Sequence, residues 1–269
     1  MVVDVTAPVL YNRRLSPHYN VIALGAPAVA AAAEPGQFVM VKPAPGHEPL
    51  LRRPFSIFEV LRDAGDTPVG ITLLNKRVGI TTKQLFDVQD GQYIACLGPL
   101  GRPFSLVDPD TEAWMVAGGV GLAPFATLAE ALGAKGVPMT LFYGGRSTED
   151  LFYIELFEHS GADLVIATED GTRGEHGRVT QPLERALAAR ARRRVALFAC
   201  GPEPMLAAVA HLAARHGVPC EVSVERVMGC GLGGCYSCVV PLRGAPGRPH
   251  FVRSCVDGPV FDAAALIWE

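Results

Sequence analysis

Four cysteines stand close together near the C-terminal end of the sequence: Cys230, Cys235, Cys238 and Cys255. They are separated by four, two and sixteen residues, and glycines occupy three of the four positions in the first interval. Four thiolates can ligate the two irons of a [2Fe–2S] cluster, and this spacing is the one found in plant-type ferredoxins. The cysteines therefore predict a [2Fe–2S] cluster.

Two other uses of the cysteines stay open at this point. Structural zinc also takes four cysteines, but zinc ribbons pair two C-x2-C units and this sequence has only one. Disulfides belong to oxidising compartments. The N-terminus lacks a basic segment followed by an apolar run, so we expect a cytoplasmic protein with reduced thiols.

Length and composition indicate a globular protein of one large domain or two to three small ones. The chain has 269 residues, of which 49% are hydrophobic and 19% charged, with a formal net charge of −3. The longest basic run, residues 190–194, has no aromatic residues beside it, so we expect no nucleic-acid binding. Apolar runs are short or interrupted, which predicts no membrane span.

The elements that must position the cysteines change in character along the chain. Residues 1 to about 108 contain short strand-like segments separated by Gly and Pro, which predicts a β-sandwich or barrel. Their clearest examples are residues 37–43, 54–60, 69–75 and 92–98. The alanine-rich segment 27–36 is interpreted as a loop or short turn.

Strands and helices alternate over residues 111–222, which predicts a parallel α/β sheet. The predicted strands are residues 113–119, 139–145, 163–170 and 195–201. The predicted helices are residues 123–136, 149–161, 180–193 and 203–217. The remaining segment, 223–269, is too short for a large core, so a bound metal would have to stabilise it.

A glycine-rich turn follows the first strand of the α/β region. Gly118, Gly119 and Gly121 would let the backbone approach a pyrophosphate at a helix N-terminus. Cys200 and Gly201 follow the fourth strand and so share the same edge of the sheet. A nucleotide site is one interpretation, and a tight turn beside a small buried cysteine is the other.

Two motifs in the first region could bind anions. Arg52 and Arg53 precede an aromatic-containing strand, and an arginine fork can hold a phosphate. Residues 75–85 place a Gly–Thr turn at the start of a helix. Each pattern is weak alone, because arginine and proline often lie at strand edges.

The order of these motifs resembles the ferredoxin–NADP reductase superfamily, and more narrowly the electron-transfer subunit of class 1B dihydroorotate dehydrogenase. The resemblance covers essentially the whole chain and is most specific over residues 225–261. It implies an antiparallel β-barrel FAD domain (1–108), an α/β parallel-sheet NAD domain (109–222) and a small C-terminal [2Fe–2S] domain (223–269).

The resemblance also assigns residues to each cofactor. For FAD these are Arg53, Pro54, Phe55, Ser56, Leu74, Asn75, Lys76, Thr81 and Thr82; at Thr81 the family usually has glycine. For NAD they are Gly118, Gly119, Gly121, Gly201 and Pro202, with Cys200 at the catalytic position. For the cluster they are Cys230, Cys235, Cys238 and Cys255.

By this resemblance, electrons from an FMN-containing catalytic subunit reach NAD through the cluster and FAD, in pyrimidine (UMP) biosynthesis. A dimer of heterodimers, a heterotetramer, is implied as well. The resemblance favours NAD over NADP. Arg146 could bind a 2′-phosphate and is followed by acids at 149, 150, 169 and 170, but surface charge explains each of these residues equally well. The alternatives are a related ferredoxin, sulfide or hydrogenase-type reductase subunit and a zinc-stapled subunit without catalysis.

Overall fold

The computed structural model describes residues 1–43, 49–190, 193–245 and 248–268. Residues 191 and 192, which belong both to the basic run 190–194 and to the predicted helix 180–193, therefore lie outside the described residues.

The first region is a seven-stranded antiparallel sheet that curls into a barrel. Its strands lie in the order β4-β3-β7-β1-β2-β6-β5. The N–H of Ile57 bonds to Gln37 at one edge of the sheet, and that of Phe58 bonds to Thr72 at the other. The segment between β4 and β5 therefore joins the two edges. The strands are β1 (Val3–Arg14), β2 (Tyr19–Leu24), β3 (Phe38–Pro43), β4 (Arg53–Ser56), β5 (Val60–Arg62), β6 (Pro68–Lys76) and β7 (Tyr93–Leu100).

Two helices accompany the barrel. They are α1 (Pro27–Ala30) and α2 (Ile80–Asp87). Apolar residues of the strands fill the interior; every residue of β2 is buried, for example. Of the β-sandwich and the barrel that the strand pattern predicted, the structure therefore has the barrel.

The second region is a seven-stranded sheet with the order β11-β10-β9-β8-β12-β13-β16. All its pairings are parallel except that of β16, which runs antiparallel to β13. The strands and helices from β8 to β13, in chain order, are β8 (Thr111–Gly118), α3 (Ala123–Ala134), β9 (Met139–Gly145), α4 (Ile154–His159), β10 (Ala162–Thr168), β11 (Glu175–His176), α5 (Thr180–Ala189), β12 (Arg194–Cys200), α6 (Glu203–His216) and β13 (Cys220–Ser223). The remaining strand, β16 (Val260–Asp262), comes from the C-terminal segment.

The C-terminal segment forms a loop, a hairpin and one more strand. Its elements are β14 (Val239–Leu242), β15 (His250–Arg253), α7 (Ser254–Asp257) and β16 (Val260–Asp262). The segment follows directly from β13, and its last strand, β16, pairs with β13 at the edge of the parallel sheet. Both ends of the segment are therefore attached to the α/β region.

Several predicted elements differ from the structure. The helix predicted over 149–161 is reduced to α4, because Tyr153 has a left-handed backbone (φ 56°) that a continuous helix excludes. The strand predicted over 54–60 is divided into β4 and β5 by the turn that joins the barrel edges. The alanine-rich segment interpreted as a loop contains the four-residue helix α1.

No helix in the described part of the chain is both long enough and apolar enough to cross a membrane.

Candidate functional site

The four clustered cysteines are arranged as two pairs. The Sγ atoms of Cys238 and Cys255 lie 3.3 Å apart, and both side chains are almost completely buried. Cys230 and Cys235 lie beside each other nearer the surface. All seven cysteines of the chain are free thiols, so no disulfide is formed.

This arrangement fits a two-iron cluster, in which each iron takes two thiolates. A single zinc ion instead needs all its ligands around one point. Within the described ranges, no three Cys, His, Asp or Glu side chains are gathered closely enough to hold one ion.

Hydrogen-bond donors surround the exposed pair. The backbone N–H of Leu232 donates to Cys230 Sγ at 3.3 Å, and the Ser237 hydroxyl lies 3.1 Å from Cys235 Sγ. Hydrogen bonds from Ser237, and then from Cys230, lower the pKa of Cys235 to about 6. Such donors favour the deprotonated, ligating form of a thiol.

The cysteine loop packs directly onto the barrel. Cys238 and Cys255 share a buried apolar cluster with Phe38 and Met40 of β3. A Cβ on Gly231 would lie 2.5 Å from Met40 Cγ, so this close approach requires glycine. The loop is also held by Arg253, which donates to the carbonyl of Gly233 at 3.0 Å.

The barrel residues predicted to bind FAD lie on β4, on β6 and at the start of α2. Strand β4 pairs with β3, so Arg53 and Ser56 lie one strand away from the contact with the cysteine loop. The Arg53 side chain is exposed, whereas Pro54, Phe55 and Ser56 are half-buried. An exposed guanidinium at this place is a suitable phosphate donor.

On β6, the predicted residues point in different directions. Leu74 is buried and Lys76 is half-buried, but Asn75 lies on the opposite face and is fully enclosed. Its amide donates to Asn20 at 2.7 Å and to the carbonyl of Thr82 at 3.0 Å. Asn75 thus holds the start of α2 and does not reach the surface itself.

The start of α2 is open to solvent. Nothing lies within 4 Å of a Cβ built on Gly79, and Thr82 Oγ1 accepts hydrogen bonds from the N–H groups of Val78 and Gly79. Thr81 is only 4% exposed, so its side chain faces the barrel. The open backbone around Gly79 leaves room for a diphosphate.

The glycines predicted to bind a nucleotide, at the carboxyl ends of β8 and β12, serve two purposes. A Cβ on Gly121 would lie 2.2 Å from the carbonyl oxygen of Cys200, and one on Gly118 would lie 2.8 Å from Pro202. Gly201 has φ 155°, and a Cβ on it would lie 3.0 Å from the backbone N of Gly118. These three glycines are needed to pack the ends of β8 and β12 together, while Gly119 has φ 54° and faces open space.

Cys200 ends β12 at this same edge, with Ser223 beside it on β13. Burial raises the pKa of Cys200 to about 12, so its side chain is a neutral thiol at physiological pH. A neutral thiol can pack against a ligand but is a weak nucleophile.

An interface between the two large sheets was missed by sequence reasoning. Asp150, next to β9, accepts a hydrogen bond from the hydroxyl of Tyr19 in the barrel. The Lys76 ammonium lies 3.6 Å from the same carboxylate. Nothing in the sequence pattern pairs Asp150 with a residue 131 positions away.

The other charged residues considered for nucleotide recognition stay at the surface. Arg146, Glu149, Glu169 and Asp170 are exposed beyond the carboxyl ends of β9 and β10. The Asp170 carboxylate accepts hydrogen bonds from the backbone and hydroxyl of Thr172, which lower its pKa.

Two family models match the chain. One is described as the iron-sulfur cluster binding domain of dihydroorotate dehydrogenase B and matches residues 225–267. The other is described as an oxidoreductase NAD-binding domain and matches residues 115–211. The matched ranges contain the four clustered cysteines and the glycine-rich edge, respectively.

Among solved structures, the chain resembles an NADH-dependent reduced ferredoxin-NADP oxidoreductase, studied for flavin-based electron bifurcation. The TM-score is 0.84 at 28% identity, covering 98% of this chain and 90% of the other. The barrel, the α/β sheet and the C-terminal segment therefore form a ferredoxin reductase-like fold.

Similar proteins extend over nearly the full length of the sequence. The dihydroorotate dehydrogenase B (NAD(+)) electron transfer subunit of Desulforamulus reducens is 35% identical over 263 residues, which is 98% of each chain. The subunit of the same name from Geobacillus kaustophilus is 37% identical over 236 residues, 87% of each chain. At this identity and coverage, the chain belongs to the family of dihydroorotate dehydrogenase B (NAD(+)) electron transfer subunits.

Proposed function

We propose that the chain connects a nicotinamide nucleotide with a catalytic partner subunit, using three successive binding regions. Residues 1–108 would hold FAD, residues 109–222 would hold NAD, and residues 223–269 would hold the [2Fe–2S] cluster. When bound, the flavin exchanges electron pairs with the nicotinamide and single electrons with the cluster.

One observation carries this proposal: the buried cysteine pair packs against the strand that neighbours the proposed flavin strand. Cys238 and Cys255 belong to one buried apolar cluster with Phe38 and Met40 of β3, and Met40 is the pairing partner of Pro54 on β4. A cluster held by these cysteines and a flavin held by β4 would lie against neighbouring strands of the barrel. The packing thus supports electron exchange between them.

For FAD, we propose that Arg53 and the backbone around Gly79 bind the diphosphate, with Ser56 and Lys76 nearer the ring. The exposed guanidinium and the open helix start support the first assignment. Asn75 and Thr81 would act indirectly, because their side chains are buried and hold α2 against the barrel.

For the nicotinamide nucleotide, we propose the edge formed by Gly118, Gly119, Gly121 and the turn at Gly201 and Pro202. The open, left-handed position of Gly119 supports close approach of a diphosphate. The neutral Cys200 thiol would pack beside the nicotinamide without forming a bond to it. Exposed Asp170 supports NAD over NADP, because a carboxylate repels a 2′-phosphate.

An electron transfer subunit requires a catalytic partner, and we propose an FMN-containing dihydroorotate dehydrogenase subunit in a dimer of heterodimers. Large apolar side chains are exposed around the cysteine loop, including Leu232, Tyr236 and Phe251 at 59%, 63% and 61%. Apolar surface near the cluster supports docking of the partner there. In that complex electrons would flow toward NAD in pyrimidine biosynthesis.

A related ferredoxin-type reductase subunit would have the same architecture and is the second candidate. The high coverage of the similar ferredoxin-NADP oxidoreductase favours it. The names and coverage of the full-length relatives favour the dihydroorotate subunit.

The decisive experiment is an anaerobic visible spectrum of the purified chain before and after one equivalent of NADH, with NADPH as the matched control. We expect flavin bands and a broad cluster absorbance that bleach with NADH and far less with NADPH. Addition of an FMN-type dihydroorotate dehydrogenase subunit should then allow dihydroorotate to bleach the same bands. A colourless, zinc-containing protein after careful anaerobic preparation would overturn the proposal.

A further inference from the structure

Ser237 occupies a special position between two cluster cysteines. It lies two residues after Cys235 and immediately before Cys238. Its Oγ accepts a hydrogen bond from the backbone N–H of Gly229 at 2.9 Å and lies 3.1 Å from Cys235 Sγ. The hydroxyl is therefore fixed from one side by the backbone and directed toward a sulfur on the other.

The direction of the second hydrogen bond follows from the chemistry of the ligand. A serine hydroxyl has one hydrogen and two lone pairs, and the bond from Gly229 uses a lone pair. Cys235 is a thiolate when it ligates iron, so its sulfur can only accept. In the hydrogen bond between these two groups, Ser237 is then the donor and Cys235 Sγ the acceptor.

Ser237 differs from the backbone donor beside the cysteines. Cys230 receives the backbone N–H of Leu232. That bond depends on loop geometry and not on side-chain identity. The bond from Ser237 comes from a side chain, so its presence is decided by the residue type at this position.

We propose that Ser237 donates a hydrogen bond to the Cys235 thiolate and thereby raises the reduction potential of the cluster. This inference rests on the proposed function, because it requires that the four cysteines hold a [2Fe–2S] cluster. Reduction adds one negative charge, which the sulfurs share. A donor directed at a sulfur stabilises the reduced form more than the oxidised form. Ser237 acts through Cys235 and is a positioning residue for electron transfer.

The test is the cluster midpoint potential in the full chain, measured by a redox titration followed by electron paramagnetic resonance. In Ser237→Ala we expect the one-electron equilibrium to shift about tenfold toward the oxidised cluster, which corresponds to roughly 59 mV. Ser237→Thr keeps a hydroxyl and should retain a potential close to the wild-type value.

Ser16→Ala is the matched control. Its hydroxyl also accepts a backbone N–H, that of His18 at 3.2 Å, but it lies in the barrel far along the chain from the cysteines. This variant should leave the potential unchanged. An equal shift in Ser16→Ala and Ser237→Ala would contradict the proposal.

A second measurement detects the exchangeable hydrogen near the cluster directly. The Fe–S stretching frequencies of the wild-type cluster, recorded by resonance Raman spectroscopy, should shift when the hydroxyl is exchanged to deuterium. Part of that shift should be absent in Ser237→Ala, because the backbone donor remains. If Ser237→Ala assembles no cluster, Ser237→Gly, which also lacks the hydroxyl, replaces it in this comparison. The full deuterium shift in a hydroxyl-free variant would contradict the proposal, whereas Ser237→Thr should retain the full shift.

The failure of this inference can be told from the failure of the proposed function. A wild-type chain without any cluster spectrum would contradict the proposed function. A wild-type cluster whose potential and deuterium shift are the same in Ser237→Ala would contradict only the role of Ser237.

Discussion

The carboxylate of Asp150, in the α/β region, accepts a hydrogen bond from the hydroxyl of Tyr19, in the barrel. Its other oxygen accepts the backbone N–H of Arg146 at 3.1 Å, and the Lys76 ammonium lies 3.6 Å away. Lys76 also lies 5.0 Å from the centre of the Tyr19 ring. One carboxylate therefore connects two strands of the barrel to the nucleotide-binding sheet.

We expect Asp150→Asn to weaken this connection. The asparagine keeps the shape and one acceptor but loses the negative charge, and a hydrogen bond to a charged group contributes about 1.5–3 kcal/mol. Because an acceptor remains, a loss of about 1 kcal/mol is expected, which lowers the Tm by roughly 2–4 °C. Thermal unfolding of the two proteins measures it. Glu149→Gln changes an exposed neighbouring acid and should leave the Tm unchanged.

The contribution of Asp150 should depend on pH. Burial acts to raise the pKa of Asp150, but the hydrogen bonds from Tyr19 and the Arg146 N–H and the charge of Lys76 together lower it below its usual value. A carboxyl with a depressed folded-state pKa stabilises the fold above its unfolded pKa of about 3.9 and loses that effect in more acidic solution. The Tm difference between wild type and Asp150→Asn should be constant from pH 6 to 8 and shrink below about pH 4. A difference that grows on acidification would contradict this account.

The gathering of the four cysteines was predictable from the sequence because most of them are close together along the chain. Three of the four cysteines lie within nine residues, so their spacing alone limits the geometry. The alternation of apolar strands and helices likewise predicted the parallel sheet. Both features depend on residues that are neighbours along the chain.

Contacts between distant segments were not predictable in the same way. Tyr19 and Asp150 are separated by 131 positions, and neither belongs to a motif. The helix predicted over 149–161 was wrong because apolar periodicity does not reveal that Tyr153 has φ 56°. The pairing of β16 with β13 likewise joins segments that are apart in the sequence. The glycine-rich stretch between them does not specify that the chain returns to the edge of the parallel sheet.

Loss of one buried cysteine should remove the cluster. The Sγ of Cys255 lies 3.3 Å from that of Cys238 in the buried pair. Cys255→Ser replaces this thiol with a hydroxyl, which is a much poorer iron ligand. We expect loss of at least most of the iron and of the cluster absorbance, while flavin is retained on the barrel. Cys220→Ala is the control, because this buried cysteine lies on β13 and belongs to a separate apolar core. Iron analysis and the visible spectrum decide the outcome, and equal iron in both variants would exclude Cys255 as a ligand.

The close packing of the ends of β8 and β12, at the proposed nucleotide site, should require glycine at position 121 for steric reasons. A Cβ at this position would lie 2.2 Å from the carbonyl oxygen of Cys200 and 2.7 Å from the N atom of Gly201. Both atoms are backbone, so the clash can be relieved only if the ends of β8 and β12 move apart. We expect Gly121→Ala to destabilise the fold by about 1–3 kcal/mol and to raise the KM for NADH.

Gly133→Ala provides the matched comparison for this last substitution. A Cβ at Gly133, in α3, meets its nearest neighbour at an ordinary distance of 3.6 Å. Alanine is a better helix former than glycine by about 1 kcal/mol, so this variant should be as stable as wild type or slightly more so. Steady-state reduction of an artificial acceptor by NADH, together with thermal unfolding, separates the two effects. A normal KM and Tm in Gly121→Ala would mean that the two strand ends tolerate separation, and that the glycine is not required by packing.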